Sequence, residues 1–461
     1  MSKLPKWLGR TLKVIGWLCL VPVCLVALAA FIGWIGDLTA SSQWQAGRQR
    51  AQERIQKLKV YEFTSGFGFA VNDTNAWGYY LKASDPLDSL KTGKLDSLVF
   101  GKSFDPKEAN RFLTEYKKEI ALWDSGACSR YCRTPFEYEK GYTAPIPKYI
   151  SLQKMLKLAL IKGRLEVASG RIQQGALTYS KALKTAMDFS GGSEVLISRM
   201  VGTVAGTYVK RVIAGDIALF DLRSVVQLRD AMERAEKTWP ATYPSISMES
   251  VIMYSAPDGQ EALSFIEGDA EGRSKANQLT KTLSRAGYSL LYWKQYFSVK
   301  RNMMSFAALQ QRTADQAAGC KDGLWSTLKP VLDRNQEYIR KISKGDVFAT
   351  IAMPNHRQFF SREYELRMGL RVLKDALVLR EYRLKNGRYP AGLAQAIKDD
   401  PEYNDIADGK PLHYDLKNNV ARLYSIGLNL RDDGGLGFSL GENLLRYRES
   451  EEKDDLWIEL K

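Results

Sequence analysis

Histidine is nearly absent from this chain of 461 residues, which contains only His356 and His413. Catalytic triads and histidine-rich metal centres need an imidazole as a near-neutral base or as a ligand, so the composition disfavours both. The sequence also lacks a Walker loop, a His-Glu-x-x-His zinc motif, a Gly-x-Ser-x-Gly elbow and a dinucleotide-binding glycine fingerprint. We therefore expect a protein that is not an enzyme.

Cysteine is also scarce, with five residues in the chain. Cys19 and Cys24 lie in an apolar stretch and are interpreted as small apolar residues. Cys128 and Cys132 form a close pair, for which we expect a local disulfide in an oxidising compartment. Free thiols are the first alternative. A metal or redox site is the second, although Cys320 alone supplies too few further ligands.

A long uncharged stretch runs from Val14 to Gly36, and as a helix its 23 residues would span about 34 Å, enough to cross a bilayer core. Trp17 and Trp34 lie near its ends, where indole rings favour the membrane interface. Four positive charges precede it, on Lys3, Lys6, Arg10 and Lys13. We expect an uncleaved inner-membrane anchor with a cytoplasmic N-terminus and the bulk of the chain in the periplasm. A cleaved signal peptide, with Ala27-Leu28-Ala29 as the cleavage site, is the alternative.

Charge is divided unevenly between two parts of the chain. Residues 399–461 hold 15 acidic and 8 basic side chains, a net charge of −7, so with +15 in total the remainder carries +22. A basic body on a membrane protein indicates attraction to anionic headgroups or to an acidic partner. No nucleic-acid recognition motif accompanies it, so we expect no nucleic-acid partner, and no small-molecule substrate is indicated.

Helical periodicity dominates the middle of the chain. Residues 41–59 predict either a helix that continues the anchor or a solvated linker. Helices are expected over 106–123, 193–215, 221–238, 245–266, 275–297 and 323–342, and over the pair that Gly170 separates between Lys148 and Trp239. The run from Gly170 to Phe189 resembles a tetratricopeptide unit, with small residues at Gly175, Ala176 and Ala182. A second copy at a period of ~34 residues is not evident, so the pattern favours helical hairpins without establishing a repeat array.

The last hundred residues have a different pattern. An apolar stripe predicts a helix over about 361–386, which Gly387 ends in a left-handed conformation and Pro390 prevents from continuing. A short second helix around Leu393, Ala394 and Ile397 comes next. Two strands are then expected, Pro411–Asp415 and Val420–Ser425, with a hairpin turn at Lys417-Asn418-Asn419.

These pieces, in this order, resemble the globular part of the major pseudopilins of type II secretion systems. The resemblance is carried by Gly387-Arg388-Tyr389-Pro390, by Gly409-Lys410-Pro411-Leu412-His413-Tyr414, by Leu423-Tyr424-Ser425-Ile426-Gly427 and by Asp454-Asp455-Leu456-Trp457. The whole chain is also similar to a family of bacterial membrane-anchored proteins without an established activity, which share an Asn-Ala…Tyr-Tyr segment, matched by Asn75-Ala76 and Tyr79-Tyr80. The membrane stretch lies more than three hundred residues before the pseudopilin-like helix, and no peptidase site precedes it, so we expect no polymerising pseudopilin.

In major pseudopilins the Asp/Gly loop binds Ca²⁺, so the resemblance implies calcium as the one candidate cofactor. The candidate ligands are Asp432, Asp433, Asp454, Asp455 and Asn429, with the carbonyl of Leu428. Calcium prefers six to eight hard oxygen ligands, which such a loop can supply. The family's Gly-x-Asp-Gly segment is Gly427-Leu428-Asn429-Leu430 in this chain, which lacks one carboxylate and one glycine. The alternative is a solvated turn followed by a charged terminus.

The sequence therefore predicts a mainly α-helical α+β protein. The expected parts are a cytoplasmic N-terminus (1–13), a transmembrane helix (14–36), a juxtamembrane helix or linker (37–60), a helical-hairpin body (61–355) and a pseudopilin-like module of one long helix and a small antiparallel sheet (356–461). We expect a protein-interaction or assembly role with envelope proteins as partners. An envelope hydrolase with an unrecognised site in the helical body is the alternative.

Overall fold

The computed structural model describes residues 27–28, 31–32, 35, 40–58, 67, 69–70, 72–101, 103–255, 299–343, 355–397, 400–441 and 453–461. The fold is predominantly helical, with two small sheets. The helices are α1 (40–56), α2 (Ala76–Ser84), α3 (Thr92–Phe100), α4 (Pro106–Glu115), α5 (Lys117–Ala127), α6 (Tyr149–Ala168), α7 (Ile172–Gly191), α8 (Leu196–Asp216), α9 (Leu222–Thr238), α10 (Tyr243–Ser255), α11 (Val299–Ala318), α12 (Trp325–Ser343) and α13 (His356–Asn386). The strands are β1 (Asn72–Asn75), β2 (Ser129–Tyr131), β3 (His413–Lys417), β4 (Val420–Ser425), β5 (Gly437–Ser439) and β6 (Asp455–Leu460).

Helices α6 to α9 form the centre of the body, and glycines allow them to approach closely. A Cβ atom on Gly163 of α6 would lie 2.3 Å from the Tyr179 ring of α7, and one on Gly175 would lie 2.5 Å from Val167. Gly170 has φ +78° in the turn between α6 and α7, a conformation that other residues rarely adopt. The small residues that suggested a helical hairpin therefore lie at its contact surface.

Helix α1 packs on the body through a narrow apolar stripe. Trp44 is 3% exposed in a cluster with Met253, Met303 and Phe306, which come from α10 and α11. Ala51 is buried in a neighbouring cluster with Val195, which directly precedes α8, and with apolar residues of α10. The Arg54 guanidinium also donates to the Ser247 hydroxyl on α10 at 2.6 Å. Over residues 40–56 the structure has a helix packed on the body and not a solvated linker, while residue 59 and most of the anchor stretch lie outside the described residues.

Helix α13 lies between the body and the C-terminal sheet. It packs against α8 and α9 on one side and against β4 and β6 on the other. Leu366 and Leu370, like the inward-facing Leu423 and Ile458 of the sheet, belong to the same continuous hydrophobic core as the body. The described residues of 356–461 therefore share their core with the body.

The C-terminal sheet has the strand order β3-β4-β6-β5, and because β5 pairs in parallel with β6 the sheet is mixed and not wholly antiparallel as expected. Strands β3 and β4 form a hairpin with Lys417 opposite Val420, and its turn residues Asn418 and Asn419 have φ of 50° and 61°. Positive φ at both turn positions matches the twist of the flanking strands. The predicted hairpin is confirmed, as is the left-handed end of α13 at Gly387, with φ 76°.

Two helical predictions differ from the structure, and two others extend beyond the described residues. The helix expected over 106–123 is divided in two at Tyr116, which has non-helical φ and ψ of −104° and 31°. Of the helix expected over 245–266, the described part is helical in α10 up to Ser255, and residues 256–266, like the whole helix expected over 275–297, lie outside the described residues. The short helix expected around Leu393 is a single 3-10 turn, Leu393–Gln395.

The predicted membrane span lies mostly outside the described residues, which include only 27–28, 31–32 and 35 of the stretch 14–36. These few positions carry exposed apolar side chains, with Leu28 at 55% and Ile32 at 62%. Among the described helices, none is both long enough and apolar enough to cross a bilayer.

Candidate functional site: the acidic loop

The acidic loop, residues 427–435, follows β4 and lies against the first residues of β6. Two glycines make this approach possible. A Cβ atom on Gly427 would lie 2.1 Å from the Asp454 carbonyl oxygen, and one on Gly437 would lie 2.3 Å from the Asp455 carbonyl oxygen. Gly427 also has φ +67°. Any larger residue at either position would push the two chain segments apart.

Asp454 holds the beginning of the acidic loop. Its Oδ2 accepts hydrogen bonds from the backbone N–H groups of Leu428 and Asn429, at 2.9 and 3.0 Å. Burial raises the pKa of Asp454 to about 6, and the nearby charge of Glu365 on α13 adds to the increase. The two amide bonds favour the carboxylate form and so oppose this shift.

Asp455 holds the other end of the loop. Its Oδ2 accepts from the backbone N–H groups of Asp433 and Gly435, at 3.0 and 2.8 Å. Burial raises the pKa of this carboxyl to about 6 as well. Its second oxygen, Oδ1, is buried and has no hydrogen-bond partner. This is the one orphaned oxygen among the candidate metal ligands of the loop.

Asp433 lies between these two contacts and returns a bond to the β6 segment. Its carboxylate accepts from the Asn429 side-chain amide at 2.9 Å and from the Asp454 backbone N–H at 3.0 Å. The Asn429 hydrogen bond is the main reason why the pKa of Asp433 lies below its ordinary value. The loop and the β6 segment thus donate to each other's carboxylates.

Two of the expected calcium ligands point elsewhere. The Asp432 carboxylate accepts from the Tyr424 hydroxyl at 3.2 Å and lies 3.4 Å from His413 Nδ1. The carbonyl of Leu428 accepts from the Trp325 indole N–H on α12 at 2.8 Å. The contact with Trp325 spans about a hundred residues of sequence, and nothing in the local sequence signals it.

The residues present do not fit a calcium ion. The second oxygens of Asp433, Asp454 and Asp455 are suitable ligands, and Asp455 Oδ1 is buried without a partner, but three oxygens are fewer than the six to eight that calcium requires at 2.3–2.6 Å. Within the part of the chain that the structure describes, no group of three or more carboxylate, histidine or cysteine side chains is arranged to hold a metal ion. The five candidate ligands are neighbours, but they do not converge on one point.

The disulfide expected between Cys128 and Cys132 is not formed, since both residues are free thiols. The three residues of strand β2 lie between them and at 3.3 Å each span about 10 Å, whereas bonded cysteines have Cα atoms within ~7 Å. Cys132 is 1% exposed and lies near Asp188, while Cys128 lies beside Lys181. A spacing of three residues brings two cysteines together in a turn or helix but not across an extended strand.

Sequence reasoning missed the ionic groups buried in the body. Lys184 and Asp188 are both 0% exposed and form an ion pair at 2.7 Å, to which the Tyr80 hydroxyl donates at 2.6 Å. The Tyr179 hydroxyl donates to Asp216 at 2.5 Å. The i,i+4 spacing of Lys184 and Asp188 was a usable signal for the ion pair. Because these groups are sealed from solvent, they cross-link helices and are not accessible to a substrate.

The outer face of the C-terminal sheet carries a cross-strand row of aromatic side chains, which we call the aromatic row: His413, Tyr424 and Trp457. The pairing register places Tyr424 opposite both His413 and Trp457. The rings of His413 and Tyr424 stack, with centroids 4.8 Å apart, and the Arg422 guanidinium lies 4.9 Å from the Trp457 ring centroid. Each of the four side chains is partly exposed.

Comparison of the chain with protein-family models, with curated proteins and with solved structures finds no match in any of the three.

Proposed function

We propose that the protein is a single-pass inner-membrane protein whose periplasmic part binds envelope proteins and catalyses no reaction. The aromatic row is the observation that carries this proposal. Protein interfaces are enriched in Trp, Tyr and Arg at their energetic centres, and the outer sheet face presents all three on adjacent strands. The ion pair of Lys184 and Asp188 supports the non-catalytic part, because it is closed to substrates.

The way the body joins the C-terminal module favours a rigid platform over a polymerising subunit. The resemblance implies a long helix that itself carries the membrane segment, whereas α13 is covered by α8 and α9 and by the sheet. Helix α1 is likewise fixed to α10 and α11 through Trp44. A partner bound on the sheet would therefore be held at a set position relative to the N-terminal segment.

Site-specific photo-crosslinking in cells tests the binding role. A photoreactive amino acid at Val420, beside Arg422 and Tyr424 on the outer face, should give a discrete cross-linked product. The same amino acid at Lys385, exposed at the far end of α13, is the control. A Trp457→Ala variant with an unchanged melting temperature should lose the product. Equal cross-linking at Val420 and Lys385, or no effect of Trp457→Ala, would contradict the proposal.

Topology and anchoring can be tested separately. A reporter enzyme active only in the periplasm, fused after Lys461, should be active, and deletion of residues 1–36 should release the protein from membranes washed with carbonate. The mass of the purified full chain should include its N-terminal residues. A mature protein that begins after Ala29 would establish the signal-peptide alternative.

A further inference from the structure

We propose that the acidic loop is a metal-independent clasp, in which main-chain amides take the carboxylate oxygens that an ion would occupy in a pseudopilin-like site. The clasp fastens β6, the last strand of the chain, to the loop that follows β4. This inference does not depend on the proposed binding role.

Six N–H groups are directed at three carboxylates, and this donor set defines the clasp. Asp454 accepts from Leu428 and Asn429, and Asp455 accepts from Asp433 and Gly435. Asp433 accepts from the Asn429 side chain and from the Asp454 amide. Bonds from amides to carboxylates are charge-assisted and shift carboxylates toward their ionised form without a cation.

An ion could reach one oxygen of each of these three carboxylates only in competition with the same donors. One carboxylate oxygen on each of Asp433, Asp454 and Asp455 already accepts two hydrogen bonds, so its lone pairs point at N–H groups. Asp432 and the Leu428 carbonyl, which would complete a coordination shell, are bound to Tyr424 and Trp325. Asp455 Oδ1 and the second oxygens of Asp433 and Asp454 together make three, fewer than the six ligands that calcium needs.

The clasp is reciprocal, and this explains the departure from the family pattern. Asp433 donates its backbone N–H to Asp455 and accepts from the backbone N–H of Asp454, so each segment ties down the other. Asn429, which replaces the family's aspartate, supplies an amide donor where a second carboxylate would repel Asp433. Leu430, which replaces the glycine, adopts φ +63° within the loop. The replacement of aspartate by Asn429 therefore removes a calcium ligand and adds a hydrogen bond to the clasp.

Thermal unfolding of the full chain in detergent, with calcium or with excess chelator, tests the clasp. The wild-type midpoint should be the same in both. Asp454→Ala should lower it by about 2–5 °C, equally in both, because two charge-assisted bonds are lost whether or not an ion is present. Asp432→Asn is the matched control and should change little, since Asp432 is 46% exposed. A wild-type midpoint that rises with calcium, or an Asp454→Ala midpoint equal to wild type, would overturn the proposal.

A binding measurement covers the case in which Asp454→Ala does not fold. Terbium substitutes for calcium and luminesces when nearby tryptophans transfer energy to it, and Trp325 lies within hydrogen-bonding distance of the loop. Wild-type protein should show no more terbium luminescence than Asp433→Asn, which keeps one acceptor oxygen. A saturable signal that calcium displaces and Asp433→Asn abolishes would mean that the loop binds the ion and that the clasp opens to admit it.

Discussion

Asp375 is a buried carboxyl without a hydrogen-bond partner, and its replacement by leucine should stabilise the protein at neutral pH. The side chain is 0% exposed on α13, and neither oxygen has a partner. Burial raises its pKa well above the ordinary value, although the charges of Lys374 and Arg371 oppose the shift. Both cations are already engaged, since Lys374 lies 3.1 Å from Glu236 and Arg371 forms an ion pair with the same carboxylate. Asp375 therefore has no cation to itself.

Replacing a buried ionisable group by an apolar residue of similar size is worth about 1–4 kcal/mol when the group is poorly compensated. With roughly 2.1 cal/mol/K of unfolding entropy per residue, 1 kcal/mol corresponds to about 1 °C in this chain of 461 residues. Asp375→Leu should thus raise the midpoint by about 1–4 °C at pH 7. Asp375→Asn is the matched polar control, and should gain less because its amide would also lack partners.

The pH dependence separates this explanation from a packing effect. A carboxyl with a raised pKa in the folded state contributes stability that is fully present below its unfolded pKa and is lost as pH rises toward the folded pKa. The advantage of Asp375→Leu over wild type should therefore shrink as the pH falls toward 4. A loss of several degrees at pH 7 would refute the reasoning, and would mean that Asp375 is the ionised partner of Lys374 and Arg371.

Three further predictions follow from single contacts. Gly163→Ala should lower the midpoint of thermal unfolding by about 1–3 °C, because the new methyl group would press on Tyr179. The control Gly215→Ala, in open space on α8, should be neutral or slightly stabilising. Burial raises the pKa of Glu249 to about 7, so the stability that this carboxyl contributes should fall as pH rises from about 4.5 to 7. Unfolding midpoints of Glu249→Gln, measured across that range, should lack this fall. Trp325→Phe should cost about 1 kcal/mol through the lost bond to Leu428, measured by urea unfolding, and an unchanged midpoint would show that the bond contributes nothing.

Features with a local cause could be predicted from the sequence. Gly387 ends α13 because glycine adopts positive φ without a steric penalty, and the Asn418-Asn419 turn fixes the β3–β4 hairpin for a related reason. The division between α4 and α5 at Tyr116 has no such marker, since the surrounding residues are compatible with one continuous helix. The close approach of Gly163 to Tyr179 depends on both helices and was visible only as a run of small residues.

In the acidic loop the resemblance to pseudopilins predicted which residues are neighbours but not which atoms they bind. The candidate ligands are close together, as their order in the chain suggested, but the atoms they bind are backbone amides whose directions depend on the loop's φ and ψ angles. The contact that removes the Leu428 carbonyl from the loop comes from Trp325, in a helix that precedes α13.

The junction between the body and the C-terminal module has consequences for how the two can act. Lys374 on α13 donates to the Glu402 carbonyl at 2.7 Å, and Arg371 donates to the Asn404 carbonyl, so both cations bind the segment between α13 and the sheet. Both cations also form ion pairs with Glu236 of α9. Glu236, a residue of the body, thus positions the two cations that bind the segment leading into the sheet. Separating the sheet from the body would expose both the apolar face of α13 and this ionic cluster. The body therefore sets the position of the outer sheet face to which a partner would bind. A mutation of Glu236 should disturb that face, although Glu236 is not part of it.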